Sequence, residues 1–340
     1  MTEVRVLSFH APYRCRHAGA CCSSNWPIPI EADRLSTLRA ALATAAVRPA
    51  ARGSDPFILT PSNDPTEPPA LLGRVEHRCV FFDATESARD GRCRIHQGLG
   101  HDALPLACRQ FPRISVVDPR GASVTLSHYC PTAAGLLDAS GGPRRAELVV
   151  NADAFRPNAE YSGLDARTPL PPLLRPGMLM DWDAWWECER LAVEVLTQDS
   201  AADGLARLRA VVADLETWWP TDGPLLGRVR AAFRSLRRSP PHVPAAALVT
   251  AVSRAIPHGL TPPFGLIESR PGATAVGRFL AAHAFANWMI HLGGLRTWLL
   301  SIEAAAALIE AGSGPRGADL LLRHVTDTAA LRDELATLPM

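Results

Sequence analysis

From Asp181 onward, apolar residues recur at helical spacing. Asp181–Leu196 opens with acidic residues and carries Trp182, Trp185, Trp186 and Leu191; Ala201–Trp219 repeats Leu205, Leu208, Val211, Val212 and Leu215. The same spacing predicts helices over Leu225–Arg237, Pro244–Ala255, Gly272–Leu292, Leu295–Ala311 and Ala318–Leu335. The first 140 residues read differently. One helix is predicted over Glu31–Val47, with Leu35, Leu38, Leu42 and Val47 near one face. Ala50–Pro69 and Asp83–Gly91 read as loops, and Arg78–Phe82 with Gly91–His96 as a short hairpin-like pair. Ile114–Val117 and Ser123–Leu126 form a second expected hairpin around Asp118-Pro119-Arg120-Gly121. No repeat of fixed period is present.

The expected fold class is therefore mainly α: a cysteine-rich, loop-rich N-terminal metal module with a few short strands, followed by an all-helical C-terminal part. The expected boundaries are 1–140 for the module, 141–178 for a proline-containing connector, and 179–340 for the helical domain.

Composition narrows the function classes. The chain has 340 residues, 47% of them hydrophobic and 20% charged, as in ordinary globular proteins. A net charge of +1 gives no overall field toward nucleic acid or an anionic membrane. All 35 basic residues are Arg, which removes lysine as a Schiff base or general base. The most apolar stretch, Phe279–Ala311, is interrupted by His283, Asn287, His291, Arg296 and Glu303, so no membrane span is expected. The N-terminal MTEVRVLSFHAPYRC lacks the apolar run of a signal peptide, and the expected compartment is cytoplasmic.

The cysteines change the picture most. Of 8, all but Cys188 lie in the first 130 residues: Cys15, Cys21, Cys22, Cys79, Cys93, Cys108 and Cys130. In a reducing compartment such clustering points to metal or redox chemistry ahead of disulfides. Four thiolates hold one zinc or one 4Fe–4S cluster, so these seven are the candidate metal ligands. Pro131 directly after Cys130 suits a rigid loop at a cluster. Arg14, Arg16, Arg78, Arg92, Arg94 and Arg109 are each adjacent to a cysteine, and cationic neighbours favour the thiolate. Cys188, within a predicted helix, reads as a packing residue.

Other features read as structural. His96 and His128, close in sequence to Cys93 and Cys130, are expected to support the centre more than to ligate it; Asp83 and Arg109 are similar. Gly312–Gly317 matches GxGxxG by letters, but an Ala-rich helix precedes it, so it reads as a helix–helix turn and no dinucleotide-type methyl-donor loop is present. His283, Asn287 and His291 fall on one face of the expected helix, as buried histidines or a channel lining. The tryptophans at 182, 185, 186, 218 and 219 read as core.

Cys15-Arg-His-Ala18-Gly-Ala-Cys21-Cys22 resembles the CxxCxxCC putative zinc- or iron-chelating domain family. Cys22-Ser-Ser-Asn-Trp26-Pro-Ile28-Pro-Ile30, Gly91–His96, Cys108-Arg-Gln-Phe-Pro112-Arg113 and Leu126–Ala134 resemble its flagellin lysine-N-methylase branch. The motifs span about residues 10–140. The resemblance implies a cysteine-bound centre, iron–sulfur (4Fe–4S) ahead of zinc. For that branch it also implies S-adenosylmethionine as methyl donor and a protein or peptide as lysine-bearing substrate. Ala18 stands where the family has its second cysteine. Either His17 substitutes, or one iron lacks a protein ligand and is open to substrate or cofactor. The competing expectation is a non-catalytic zinc or iron–sulfur protein with a structural, electron-transfer or sensing role. Redox cycling of Cys21–Cys22 ranks last, because a vicinal disulfide is strained.

Overall fold

Capping side chains decide where the helices begin and end. In this computed structural model, residues 3–339 are described except 17, 25, 51–52, 54, 61–63, 65–66, 77, 84–91, 139–144, 156–160, 162, 169, 199, 236–239 and 258–270. Trp182–Gln198 starts where Asp181 Oδ1 accepts from the Ala184 N–H at 2.8 Å. Ala201–Glu216 starts at Ser200, whose hydroxyl accepts from the Asp203 N–H. Leu225–Arg234, Ala245–Arg254 and Leu295–Glu310 match the expected helices closely.

Two expected helices are broken, and each break has a side-chain cause. The helix expected over Gly272–Leu292 ends as Ala273–Ala284. Ala286 follows at a positive φ of 52°, its N–H held by Glu189 Oε1 at 3.0 Å. Asn287 then donates to the His283 carbonyl and accepts from the Met289 N–H, closing one helix and opening the short Met289–Leu292. His283, Asn287 and His291 therefore do not share one continuous helix face. The expected Ala318–Leu335 helix becomes Gly314–Leu320, a π-helical turn Leu321–Val325, and Thr328–Ala336. The break sits at Asp327, whose carboxylate caps the Ala330 N–H and whose own N–H donates to the Ala255 carbonyl. Of the expected turn Gly312–Gly317, only Gly312 and Ser313 lie between helices, and Gly314–Gly317 opens the helix Gly314–Leu320.

The fold class also differs from expectation. The chain forms two units, one of Met1–Tyr13, Arg113–Tyr129 and Ala133–Met340, the other of Arg14–Pro112 and Cys130–Thr132. The helical unit is not all-helical. It contains a five-stranded mixed sheet in the order Leu148–Val150, Val4–Leu7, Gly121–Leu126, Arg113–Asp118, Leu164–Asp165. Val4–Leu7 pairs with Gly121–Leu126 in parallel, and that strand pairs with Arg113–Asp118 as the expected hairpin. Sequence pattern missed the sheet because its strands are short and most of its pairings are distant. Gly121–Leu126 is buried along its whole length, so it shows no alternation. The helical core includes Trp185 edge-on to Trp298 at 5.6 Å, with Phe279, Phe285 and Cys188 also buried. Each such large apolar side chain contributes about 1.5–3 kcal/mol. Trp219, by contrast, is exposed beneath the Arg175 guanidinium.

The smaller unit carries the helix Ala32–Ala43 and a three-stranded sheet ordered Pro29–Ile30, Ala70–Leu72, Phe57–Leu59. It also has two ladders: Arg74–Val75 with Arg78–Cys79, and Phe82–Asp83 with Arg92–Cys93. The expected Arg78–Phe82 and Gly91–His96 pair is thus realised only at Phe82–Asp83 and Arg92–Cys93, because Arg94–Leu99 is helical. The 84–91 part of the expected loop lies outside the described residues. The expected N-terminal metal module is corrected as well. Among the described residues no three or more His, Cys, Asp or Glu side chains stand as a group that could hold a metal ion. Among those residues, too, no helix is long and apolar enough to cross a membrane.

Replacing the exposed cap, Asp327→Ala, is expected to lower the unfolding free energy by about 1 kcal/mol, read from the midpoint of urea denaturation.

Candidate metal centre

All seven N-terminal cysteines fall in the smaller unit. Cys21 and Cys22 lie on the short helix Ala20–Ser23. The chain enters it through Gly19 at φ 72°, where a Cβ would come within 2.5 Å of the Phe82 ring. Glycine is required there twice over, for the left-handed backbone and for the close approach. Phe82 is the register partner of Cys93. The Gly19–Phe82 contact therefore sets Cys21 and Cys22 beside Cys93. Cys79 ends the strand Arg78–Cys79, opposite Arg74. Cys108 rides the helix Leu106–Gln110, whose Leu106 N–H donates to the Glu31 carboxylate at 3.1 and 3.2 Å.

The eight cysteines form no disulfide. The sulfurs of Cys21 and Cys22 are 3.8 Å apart. Two Zn–S bonds of roughly 2.3 Å at a tetrahedral angle would hold their sulfurs about 3.8 Å apart, so this pair has ligand-pair spacing. Cys22 also acts electrostatically on Cys93. The Ile95 and His96 N–H groups donate to the Cys93 sulfur. These contacts divide the thiols electrostatically. The Cys22 thiol lowers Cys93 to about 7 and also lowers Cys21, while Cys22 itself is raised. Burial pushes Cys79 up to about 12 and raises Cys108 strongly. The charges of Cys21 and Cys93 act on both in the same direction as burial.

The remaining candidates are less convergent. Cys15 is exposed and Cys130 is buried just before the helix Pro131–Ala134. His17 lies outside the described residues. Arg94, expected beside a thiolate, is engaged instead by Asp83 at 2.8 Å and by the Pro49 carbonyl. His96 contributes its backbone N–H to Cys93, and its ring packs near His101. His128 belongs to the other unit and its ring meets His10. Cys188 is a buried core residue whose thiol burial raises.

The donor chemistry of the Cys21–Cys22 sulfur pair suits a soft, thiophilic ion and not a hard cation. It does not by itself make a closed cage. A second polar group, with His10, Ser127, His128, His283 and Asp319 buried and His324 half-buried beside them, lies in the larger unit. Spacing gave no signal for it, because its members come from separate segments. Comparisons with protein-family models, with curated proteins and with solved structures gave no match to this chain.

Gly19→Ala is expected to reduce the stability of the unit and to slow or weaken joint metal capture by Cys21 and Cys93, checked by denaturation and by thiol titration with and without zinc. At neutral pH, iodoacetamide is expected to label Cys93 well before Cys79 and Cys108, checked by peptide mass mapping after brief exposure.

Proposed function

We infer that the chain is a thiolate-bound metal protein, with an iron–sulfur centre favoured over zinc. Cys21, Cys22 and Cys93 form the nucleus of the ligand set, and the rest is drawn from Cys15, Cys79, Cys108 and Cys130. The observation that carries this reading is the 3.8 Å Cys21–Cys22 sulfur pair. An iron–sulfur centre supplies electron transfer or, where one iron lacks a protein ligand, a site for an incoming donor. The chain's own part is to gather and orient the sulfurs. Gly19 lets the Ala20–Ser23 helix close on Phe82, the Ile95 and His96 N–H groups direct the Cys93 sulfur, and Glu31 anchors the Cys108 helix.

The motif resemblance over residues 10–140 extends this reading to S-adenosylmethionine-dependent methylation of lysine on a protein or peptide. A non-catalytic structural, electron-transfer or sensing role is the second reading, and the thiol geometry supports it equally. Anaerobic purification followed by iron, sulfide and zinc analysis tests the centre. Stoichiometric iron and acid-labile sulfide, with visible charge-transfer absorbance, are expected, and Cys21→Ser with Cys93→Ser should lose most of both. Metal-free protein under those conditions would sink the reading. Equilibrium dialysis against S-adenosylmethionine then separates the two roles: saturable binding supports methyl transfer, and none supports the non-catalytic role.

A further inference from the structure

The larger unit has its own candidate site, at the carboxyl ends of its two adjacent parallel strands. Ligands of sheets with parallel strands bind beyond those ends. Val4–Leu7 leads through a turn, closed by the His10 N–H on the Leu7 carbonyl, into His10. Gly121–Leu126 leads directly into Ser127 and His128. From the helices come His283, in the last turn of Ala273–Ala284, and Asp319, on Gly314–Leu320. All four titratable side chains are buried, with relative exposures of 0% for His10, 0% for His128, 3% for His283 and 0% for Asp319.

These groups face one another in two pairs that ordinary hydrogen bonding does not satisfy. His10 Nε2 and His128 Nε2 are 3.1 Å apart. If one donates to the other, the two Nδ1 atoms are left as one bare N–H and one bare lone pair, and both are buried without a partner. Such orphaned groups cost on the order of 1–3 kcal/mol each. His283 Nε2 lies 3.3 Å from Asp319 Oδ1, yet neither atom makes an aligned hydrogen bond. The second Asp319 oxygen is taken by Ser127 Oγ at 2.5 Å and the Tyr129 N–H at 3.3 Å. Neutral imidazoles beside a carboxylate are a donor set for d-block cations, not for magnesium or calcium.

We propose that His10 Nε2 and His128 Nε2 are the fixed half of a site for one divalent d-block cation, completed from Asp319 and His283. Two nitrogens each about 2.0–2.1 Å from one ion and 3.1 Å apart subtend about 100° at it, between octahedral and tetrahedral angles. The Phe279 ring packs on both His128 and His283, which sets the two pairs side by side. No three of these side chains already surround one point, so loading turns Asp319 or His283 toward the histidine pair. Arg323 also faces the site. It contacts Asp319 Oδ1 at 3.4 Å and donates to the Leu126 and Ala282 carbonyls, so it offsets the carboxylate and favours ions that bind neutral nitrogen. His324, bonded to Ser127 at 2.6 Å, closes the far side of Asp319. None of the seven N-terminal cysteines belongs to this unit.

The test uses cobalt(II) on the full chain. Crystals soaked in cobalt chloride are expected to show an anomalous peak between the two facing Nε2 atoms. A peak only at cysteine sulfurs, or none, overturns the proposal. In solution, His10→Gln is expected to lose one equivalent of cobalt carried without thiolate charge-transfer bands, while any thiolate-bound cobalt persists. An unchanged stoichiometry overturns the proposal. Because the crystal experiment uses the unaltered chain, a His10 variant that fails to fold does not leave the question open. Failure of the cysteine reading registers separately, in the thiolate bands.

Discussion

The parallel pairing of Val4–Leu7 with Gly121–Leu126 is the constraint on which the larger unit depends. Val4, Arg5 and Val6 stand opposite Ala122, Ser123 and Val124. Closing a loop of that length has an entropic cost that only a well-buried sheet offsets, and both strands are buried throughout. The approach is close. A Cβ on Gly121 would fall 2.2 Å from the Glu3 carbonyl oxygen, so only glycine fits there. The same pairing defines the chain's organisation. Tyr13 and Arg113 belong to one unit, and Arg14–Pro112, inserted between them, forms the other together with Cys130–Thr132. It also brings His10 to His128, which are remote in sequence.

The two units bury polar chemistry by the same rule with opposite signs. Burial raises a thiol and lowers an imidazole, so each group is held toward its neutral form. Cys79 and Cys108 follow this rule in the smaller unit, and His128, His283 and His324 follow it in the larger. The exceptions are informative. Cys93 escapes because Cys22 and two backbone N–H groups stabilise its thiolate. Asp319 is held below the usual carboxylate range at full burial because Arg323 and His283 outweigh its desolvation. On the Arg323 side the pair's hydrogen-bonding capacity is met by the Leu126 and Ala282 carbonyls, while Asp319 Oδ1 is left without a hydrogen bond.

Helices were the most legible part of the sequence, because their signal is local. Trp182–Gln198, Ala201–Glu216 and Leu295–Glu310 follow directly from apolar spacing and their caps. The breaks at Asn287 and Asp327 were legible only in part. Both residue types favour caps, but a cap inside a helical pattern acts only when another segment also holds the backbone, as Glu189 and Ala255 do here. Seven cysteines within the first 130 residues marked that region, and Gly19 explains why Cys21 and Cys22 meet Cys93. The unequal roles of those cysteines were not legible, since they depend on which sulfur is exposed and which is packed.

The sequence by itself determined the helical half, the Asp118–Gly121 hairpin and the concentration of thiols, because spacing, capping and turn chemistry act within a few residues. Tertiary structure alone decided that the first strand leaves the cysteine-rich segment to join a mixed sheet. It alone decided which thiols are shared, and that His10, His128, His283 and Asp319 converge. Each of those outcomes depends on non-local pairing and burial, where a residue's environment is set by segments that its own neighbours in sequence do not specify.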